Sequence, residues 1–524
     1  MNRTLRWYDT IILNIYFLGL TTISQTMSPL VIPLLVQQFV GEAQKATFYG
    51  TARLWTLMTA LLVQALMGIL SDRSTSRFGR RRPFIFVGTL AALAVIAVIG
   101  LSAGMEGMTG YWFLFAMLIL LQIASNIGQA AQQGLIPDLA PENQRGRVSG
   151  VKALFEVPIP MILVSFTIAK LIGRGNMWGG ILVAMGVLAL SMILTMFVRE
   201  EPLKEPPSAF NWMPFLRLAL MTALFTAIIL GVGGAIKYLP DALQLPARLS
   251  TTALFVVVWA AGLAAMLVAV ALGVWISVRI SIGGAARENP SFTWWVVNRL
   301  AYLVGAFNLS TFAVYFLQAR LGLAKEKAAG PAAFLMLFVG VFIMVFALVS
   351  GWLSDRFTHK RIVALAGVVA TLGTLIALLS PNLTILYIGG CFIGAATGMF
   401  YTANWALGTE LVPKAEAGRY LGISNLAGAG AGAIGAFIGG PIADYITLHV
   451  PDAPGLGYVL LFAIYGTLFL LSNRRRSSAV SATGEARRRR MRPSISRNPL
   501  SISSRRTRET DATFVRSRGS ASRS

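Results

Sequence analysis

The feature that most constrains this chain is its succession of long apolar runs, which are separated by short polar loops. A helix needs about 20 apolar residues to cross the hydrocarbon core of a bilayer, and about 14 runs approach or exceed that length. Charged residues make up only 13% of the chain, against about 25% in soluble proteins. We therefore predict an all-α polytopic membrane protein with about 14 transmembrane helices.

The sequence lacks the patterns that ATP hydrolysis, metal binding and enzyme catalysis require. No lysine directly follows a glycine, which excludes a P-loop and therefore an ATP-driven pump built from this chain alone. A single cysteine, Cys391, and two histidines argue against a metal centre. No nucleophile–base–orienter set is recognisable. We predict no enzyme activity, no cofactor and no bound metal.

Basic residues are unevenly distributed among the loops. Segments 73–82, 145–152 and 356–361 are rich in arginine and lysine, whereas the loops between them carry almost none. Arginine and lysine in short loops favour the cytoplasmic side of a membrane. An even number of spans then places both ends of the chain on that side. We predict a multi-pass protein of the cell membrane with both termini cytoplasmic.

Two sequence patterns occur twice, at the ends of equivalent spans. The second span ends in Gly-Ile-Leu-Ser-Asp-Arg at 68–73, and the tenth ends in Gly-Trp-Leu-Ser-Asp-Arg at 351–356. Another pair of matching segments begins at Asp138 and at Glu410. The two offsets, 283 and 272 residues, are similar enough for a single duplication. Internal repeats of this kind build many secondary transporters.

The repeat divides the chain into predicted domains. Six helices per half need roughly 200 residues, which leaves a surplus between the halves. We predict an N-terminal six-helix bundle at 1–200, a linker with two extra transmembrane helices at 201–290, and a C-terminal six-helix bundle at 291–475. The remainder, 476–524, is predicted to be a disordered, Arg/Ser-rich cytoplasmic tail. Such a basic segment can contact anionic membrane lipid, and no nucleic-acid binding is expected.

One run of residues carries a family resemblance. Residues 68–85 resemble the loop motif between helices two and three of the major facilitator superfamily. The Arg-Phe-Gly-Arg-Arg-Arg-Pro-Phe-Ile ending at 77–85 resembles, more narrowly, the sucrose/proton symporters and their glycoside–cation symporter relatives. The superfamily resemblance implies two six-helix bundles, a central cavity and transport by alternating access.

The same motif has a physical interpretation. A carboxylate at the end of a helix can cap a neighbouring helix N-terminus, a glycine permits a tight turn, and the arginines can form ion pairs that break when the bundles move. The alternative is a charge cluster that only sets topology. Because the pattern occurs twice, we favour a gating role for Gly68, Asp72, Arg73, Arg77, Gly79, Arg80, Gly351, Asp355 and Arg356.

Polar residues within the spans define the predicted binding site. Such residues are costly in a membrane and usually face the bundle interior; here they recur at steps of three and four, on one face of each helix. They fall on helices one, four, seven and ten of a twelve-helix core, which the resemblance implies line the cavity. For any single residue, a bond that only joins helices stays an alternative. The predicted substrate-binding residues are Thr21, Gln25, Ser28, Gln122, Asn126, Gln129, Gln133, Asn308, Thr311, Tyr315, Gln318, Tyr401, Asn404 and Trp405.

Amides and hydroxyls both donate and accept hydrogen bonds, which suits a neutral polyhydroxyl solute. We predict a monomeric secondary active transporter of a small polar solute, a sugar or glycoside such as a sucrose-like disaccharide. An anionic solute would require a buried cation, but Arg53, Lys170 and Arg299 are expected to snorkel near span ends. Two alternatives stay open: a multidrug or metabolite exporter of the same fold, and a membrane sensor or scaffold that does not transport.

Accumulation of a sugar needs a coupling ion, H⁺ or Na⁺. In the proton symporters that the chain resembles, an aspartate lies sixteen residues before the equivalent of Asp138; that position here is Gln122, which cannot exchange a proton. Glu156 is the best substitute, since it lies about 12 Å into the fifth span at 1.5 Å per residue. The alternatives are a structural pair between Glu156 and Lys152, with transport uncoupled or coupled to another ion. Asp444 is expected near the membrane interface.

Overall fold

The computed structural model describes residues 5–200, 212–242, 249–283, 290–411, 417–453 and 455–472. Within these ranges the regular secondary structure is helical, and no residue is in a strand. The helices belong to one compact unit, Met1–Arg474. The predicted tail at 476–524 lies outside the described residues.

The first half of the chain forms six long apolar helices. They begin where the sequence provides a helix start, such as Pro83 in the first turn of the third helix, because the fixed φ of proline suits that position. The helices are α1 (Trp7–Val40), α2 (Lys45–Asp72), α3 (Arg82–Leu101), α4 (Gly107–Leu139), α5 (Glu142–Gly173) and α6 (Met177–Thr195).

Two further helices separate this half from the second. They are α7 (Met213–Ala242) and α8 (Thr251–Ser281). The second half begins with a pair of helices that meet at an angle of 61°, and it continues with five more. These are α9 (Pro290–Thr311), α10 (Ala313–Leu321), α11 (Ala329–Arg356), α12 (His359–Leu379), α13 (Leu383–Leu411), α14 (Ala417–His449) and α15 (Leu456–Leu471).

The all-α polytopic class is confirmed. Among the described residues, 12 helices are long and apolar enough to cross a membrane, and the bent pair of α9 and α10 brings the number to 13. The fourteenth predicted span corresponds to α15, a shorter apolar helix of 16 residues. The predicted number of spans was therefore close, with one span bent and one short.

Two helices of the first half are interrupted where they pass the centre of the molecule. A π-helical turn, Met27–Val31, breaks α1 before Pro33, whose missing N–H removes a helical hydrogen bond. In α5 the helix breaks at Val157, directly before Pro158, and a second π-helical turn follows at Val164–Ile168. Local π segments are frequent at functional sites. The first of these breaks borders the cavity described below.

The two halves repeat the same set of neighbouring helices. In the first half α4 packs against both α2 and α3, and in the second half α13 packs against both α11 and α12. The contact between α1 and α6 is repeated between α9 and α15, and that between α3 and α6 between α12 and α15. The duplicated motifs therefore lie on helices in equivalent structural positions, while the exact domain boundaries stay predictions.

The extra helices α7 and α8 pack against each other and against α14. Phe225 of α7 occupies two notches left by glycines, since a Cβ atom would lie 2.3 Å from its ring at Gly273 and 2.5 Å from it at Gly430. Helix α7 also contacts α2 of the first half. The hairpin thus lies beside a boundary between the halves.

The ends of the helices define two ends of the molecule. We call the end that contains loops 73–81, 140–141 and 357–358 the basic end, and the end that contains loops 41–44, 174–176 and 322–328 the opposite end. Near the opposite end, α2 and α14 approach closely: a Cβ at Gly50 would lie 2.2 Å from the Ala436 carbonyl oxygen. Small residues allow this close approach of two membrane helices.

Candidate substrate cavity and gates

A cavity of about 450 Å³ lies between the two halves. Its wall comes mainly from α1, α2 and α4 of the first half, together with the end of α9 and one side chain of α11. This volume is typical of sites for small molecules. The lining residues with polar side chains are Ser24, Gln25, Ser28, Tyr49, Arg53, Thr56, Gln122, Ser125, Gln129, Ser310 and Thr311.

Five of the predicted binding residues line this cavity. They share positions on α1, α4 and α9, which supports the helical-face argument for those three helices. The α4 face is held by Asn126, whose Nδ2 donates to the Gln122 carbonyl oxygen at 2.8 Å and to its Oε1 at 3.2 Å. The lining residues are Gln25, Ser28, Gln122, Gln129 and Thr311. Thr21 and Gln133, at the ends of their stripes, are not part of this wall.

The other predicted residues of α9 and α10 contact protein instead of the cavity. Asn308 is buried, and its Nδ2 donates to the Val304 oxygen at 2.8 Å and to the Ala431 oxygen of α14 at 3.1 Å. Tyr315 donates to the Pro33 oxygen at 2.7 Å. For Tyr315 the cause is the 61° bend after Thr311, beyond which α10 reaches the Pro33 oxygen of α1. These contacts match the alternative in which such a polar side chain only bonds one helix to another.

The three predicted residues of α13 surround Arg299 of α9. Asn404 Oδ1 accepts from Arg299 Nη1 at 2.9 Å, and the guanidinium lies 5.7 Å from the ring of Trp405. Tyr401 lies within electrostatic range of the same arginine. Neither these residues nor Arg299 line the cavity. The predicted residues of α13 therefore contact the Arg299 guanidinium and do not form part of the cavity wall.

Arg53 differs from the sequence expectation. It was predicted to snorkel at a span end, but it lies in the cavity wall, where its Nη1 donates to Ser28 Oγ at 2.5 Å. The π-helical turn of α1 presents Ser28 to this guanidinium. Among the described residues, none of those that line the cavity is acidic. The expectation of an uncharged chamber was thus wrong at this position.

A polar cluster closes the opposite end. Lys45 at the start of α2 is only 5% exposed; its Nζ donates to Glu42 at 2.5 Å and to Gln318 Oε1 at 3.0 Å, and it lies 4.8 Å from the ring centre of Tyr315. Gln318 also donates to Gln37 Oε1 at 3.1 Å. Because Gln318 belongs to the second half and its partners to the first, this predicted binding residue joins the halves.

Electrostatics favour the charged form of Glu42 in this cluster. Partial burial opposes its ionisation, but the bonds from Lys45 and Gln37 and the positive charges of Lys45 and Lys325 outweigh it, so the pKa of the Glu42 carboxyl is lowered. The carboxylate accordingly stays available to hold the Lys45 ammonium in place.

Asp444 provides the second connection between the halves at this end. It was expected near the interface, but it is only 6% exposed and accepts hydrogen bonds from the backbone N–H groups of Ala46 at 3.2 Å and Thr47 at 2.7 Å. A carboxylate at a helix N-terminus satisfies free N–H groups and interacts favourably with the helix dipole. This capping of α2 was not predicted from the sequence, although an acidic residue within an apolar run indicates a buried polar contact.

The basic end is organised around Arg81, which the sequence analysis did not include in the gating set. Its guanidinium pairs with Asp72, donates to Asp138 through Nε at 3.0 Å and donates to Ser71 Oγ at 2.7 Å. Arg80 also pairs with Asp138. Partial burial opposes the positive charge of Arg80, but the bond to Asp138 and the nearby carboxylates outweigh it and raise the pKa of that guanidinium.

Glu200, which follows α6, binds the backbone of the same loop. Its carboxylate accepts from the backbone N–H of Arg81 at 2.7 Å and from that of Arg82 at 3.1 Å, which caps α3. Gly79 has a φ of +106°, and a Cβ there would lie 2.5 Å from Glu200 Oε2. A glycine is therefore required at this turn both for its backbone conformation and for space.

The remaining residues of the predicted gating set have varied surroundings. Arg77 lies 4.8 Å from the ring centre of the exposed Phe78, and Arg356 lies 4.8 Å from that of Trp352. The side chain of Asp355 lies outside the described residues. Open space surrounds the Cβ positions of Gly68 and Gly351. Their gating role stays a prediction.

Sequence comparison identifies the family. The profile of the Major Facilitator Superfamily matches residues 15–323 and 294–505. The chain belongs to the major facilitator superfamily. As a member it is a membrane transporter and not an enzyme, as predicted, and the predicted fold class is confirmed.

Curated relatives of this superfamily member include plant sucrose transport proteins. SUC3 of Arabidopsis thaliana is 32% identical over 115 residues, which is 19% of either chain. SUC4 of the same plant is 36% identical over 110 residues, 19% of this chain and 22% of the relative. The alignments thus span only about a fifth of these relatives. They confirm the resemblance to sucrose/proton symporters that the loop motif indicated.

Solved structures share the fold at low sequence identity. The nucleoside transporter NupG has a TM-score of 0.61 at 12% identity, covering 89% of this chain and 98% of that one. A D-xylose-proton symporter has a TM-score of 0.59 at 14% identity, with coverages of 89% and 96%. A peptide transporter POT has a TM-score of 0.59 at 14% identity, with coverages of 88% and 93%. These similarities show the fold alone.

The coupling candidate of this superfamily member, Glu156, has a nearby partner. Its Oε1 lies 3.3 Å from Lys152 Nζ, and that ammonium also lies 4.7 Å from the ring centre of Phe17. Glu156 does not line the cavity. This is the geometry of the structural-pair alternative, and a role of Glu156 in proton coupling stays a prediction.

Proposed function

We propose that the protein is a secondary active transporter of a sugar or glycoside and that it works by alternating access. The observation that carries the proposal is the 450 Å³ cavity between the halves, whose polar wall is rich in amides and hydroxyls. Glutamine and serine side chains can donate to and accept from successive hydroxyl groups of one solute. The sucrose transport proteins among the relatives support the same class of solute.

The arrangement of contacts supports one state of the transport cycle. The hydrogen bonds between the halves lie near the opposite end, where Asp444 caps α2, Gln318 bonds Lys45 and Ser165 donates to the Ala333 oxygen at 2.9 Å. At the basic end, no ion pair among the described residues joins the halves. We assign this state as closed at the opposite end, with solute exchange at the basic end, which the loop charges predict to be cytoplasmic.

The transport step follows from the same contacts. Opening of the opposite end requires Gln318 to leave Lys45 and requires the α2 N-terminus to leave Asp444, so the cost of opening is set by polar contacts that water replaces. Solute in the cavity lowers this cost when it bonds side chains of both halves, such as Gln122 and Thr311. Accumulation against a gradient requires a coupling ion, and we propose H⁺ or Na⁺.

Uptake into proteoliposomes tests the proposal. The purified full chain is reconstituted and challenged with labelled mono- and disaccharides, with and without a pH or Na⁺ gradient. We expect uptake of at least one saccharide, and a fall of about 10-fold or more when Gln122 and Gln129 are both changed to alanine, because each lost bond costs about 1 kcal/mol. If no saccharide moves or competes, the sugar proposal fails.

The same experiment separates the alternatives. A multidrug or metabolite exporter would exchange apolar solutes for protons and would lose little activity with the two glutamines changed. A sensor or scaffold would bind solute without flux. Coupling is tested by Glu156→Gln: unchanged accumulation under a pH gradient would rule out Glu156 as the proton carrier.

A further inference from the structure

Of the described residues that line the cavity, Arg53 alone is charged. It lies eight residues after the start of α2, about 12 Å along the helix axis from the opposite end. One of its five N–H groups is used by Ser28 Oγ. Its buried Nε has no hydrogen-bond partner among the described residues. The guanidinium therefore has unused donors at a membrane-buried position.

Lys45, on the same helix, is a buried cation whose partners are all groups of the protein. The Lys45 ammonium has a carboxylate at 2.5 Å, an amide oxygen at 3.0 Å and an aromatic ring at 4.8 Å. Arg53 forms no ion pair within the part of the chain that the structure describes. Removing a charge from water is costly unless it is paired. Arg53 is partly buried in the cavity wall and lacks the carboxylate that Lys45 has.

The polar groups around Arg53 are those of a binding site. Gln25, Gln122 and Gln129 lie in the same wall, as do the hydroxyls of α1 and α9. A guanidinium is planar and matches a carboxylate with two parallel hydrogen bonds. A single cation suits a single negative charge better than the double charge of a phosphate group.

We propose that Arg53 binds a carboxylate of the transported solute, so that the substrate is an acidic saccharide, a sugar acid, and not a neutral sugar. The carboxylate accepts from the guanidinium beside Ser28, and the hydroxyls of the same molecule bond the glutamines of α1 and α4. This inference rests on the proposed function, since it names the class of solute that the same cavity takes.

Matched solutes in proteoliposomes test the charge requirement. The full chain is reconstituted, and uptake of labelled glucuronate is compared with that of glucose and of glucuronamide, in which a neutral amide replaces the carboxylate. We expect glucuronate uptake to exceed that of both neutral solutes by about 10-fold or more, because bonds to a charged group are the stronger ones. Preference for glucose or glucuronamide would overturn the inference and leave the sugar proposal intact.

Variants then assign the preference to Arg53. In Arg53→Gln the ratio of glucuronate to glucuronamide uptake should fall roughly 10- to 100-fold, and Arg53→Lys should retain part of it. Arg279→Gln, which removes an exposed arginine at the end of α8, should keep the wild-type ratio. An unchanged ratio in Arg53→Gln would overturn the assignment. If that variant does not fold, competition of glucuronate against glucose in the wild type and in Arg53→Lys decides.

Two further solutes distinguish failure of the carboxylate inference from failure of the sugar proposal. Transport of glucose 6-phosphate but not of glucuronate would overturn the carboxylate class. Transport of lactate without any saccharide, lost in Arg53→Gln, would support the anion site and overturn the sugar proposal. Movement of none of these solutes would overturn both.

Discussion

The two ends of the molecule are held by different kinds of contact. At the opposite end the polar contacts cross between the halves, as between Asp444 and the start of α2. At the basic end the described polar contacts stay within one half: Arg81 pairs with Asp138 in the first, and His359 Nδ1 lies 3.3 Å from Glu410 Oε1 in the second. The comparison supports the proposed closure at the opposite end, and it shows that the described pairs of the first motif copy stay within the first half.

The largest expected effect comes from filling the closed interface. Gly50→Val should prevent α2 from packing against α14, because even its Cβ would lie 2.2 Å from the Ala436 oxygen, and overpacking costs about 1–3 kcal/mol or more. We expect transport to fall by about 10-fold or more. The matched control is Gly231→Val on α7, where no atom lies within 4 Å of the added Cβ. Equal activity of the two variants would contradict the assigned closure.

The next prediction compares two arginines of the basic motif. Arg81→Gln removes the ion pair with Asp72 and one of the two arginines that pair with the partly buried Asp138, which keeps Arg80. We expect the free energy of unfolding to fall by about 1–3 kcal/mol. Arg77→Gln removes only a surface contact with Phe78, and a change within about 0.5 kcal/mol is expected. Denaturant unfolding in detergent measures the free energy of unfolding of both variants. A larger loss in Arg77→Gln than in Arg81→Gln would contradict the central position of Arg81.

A smaller effect is expected when the cap on α2 is weakened. Asp444→Asn keeps an oxygen but removes the charge that two backbone N–H groups share, and loss of a helix cap costs about 1 kcal/mol. The population open at the opposite end should rise about five-fold. Asp452→Asn, at an exposed loop position, is the control. Spin-label distances across the opposite end report the populations, and no shift would remove Asp444 from the gate.

The smallest effect concerns the pH dependence of the Lys45 cluster. The pKa of Glu42 is lowered in the folded protein, so its contribution to stability is present above the unfolded value of about 4.3 and is lost as the pH falls through the folded pKa. Because Glu42 is partly exposed, we expect less than about 1 kcal/mol. Glu42→Gln should reduce the loss of thermal stability between neutral and acidic pH, whereas Glu106→Gln in an exposed loop should not.

Much of the fold could be predicted because hydrophobic length and repetition are explicit in the sequence. The apolar runs gave the helices, and the repeated Gly-x-Leu-Ser-Asp-Arg pattern placed α2 and α11 in equivalent positions. On the predicted faces of α1 and α4, Gln25, Gln122 and Gln129 line the cavity, and their role in binding stays a prediction.

The other half of the site could not be predicted from spacing alone. Residues such as Tyr315 were placed on the α9 stripe by assuming one straight helix, but the bend after Thr311 redirects them. Arg53 lies close enough to a span end to resemble a snorkelling residue, and only the approach of Ser28 from the interrupted α1 shows that it faces the cavity. Both errors come from helix breaks, whose direction is set by tertiary packing.

Access to the cavity tests the central claim most directly. Ser310 lies in the cavity wall and is exposed there, so Ser310→Cys is made in a Cys391→Ala background. A membrane-impermeant maleimide is then applied from one side of oriented vesicles at a time. The account predicts fast modification from the basic end, slow modification from the opposite end, and protection by transported saccharide. Fast modification from the opposite end alone, or no protection by any saccharide that is transported, would contradict it.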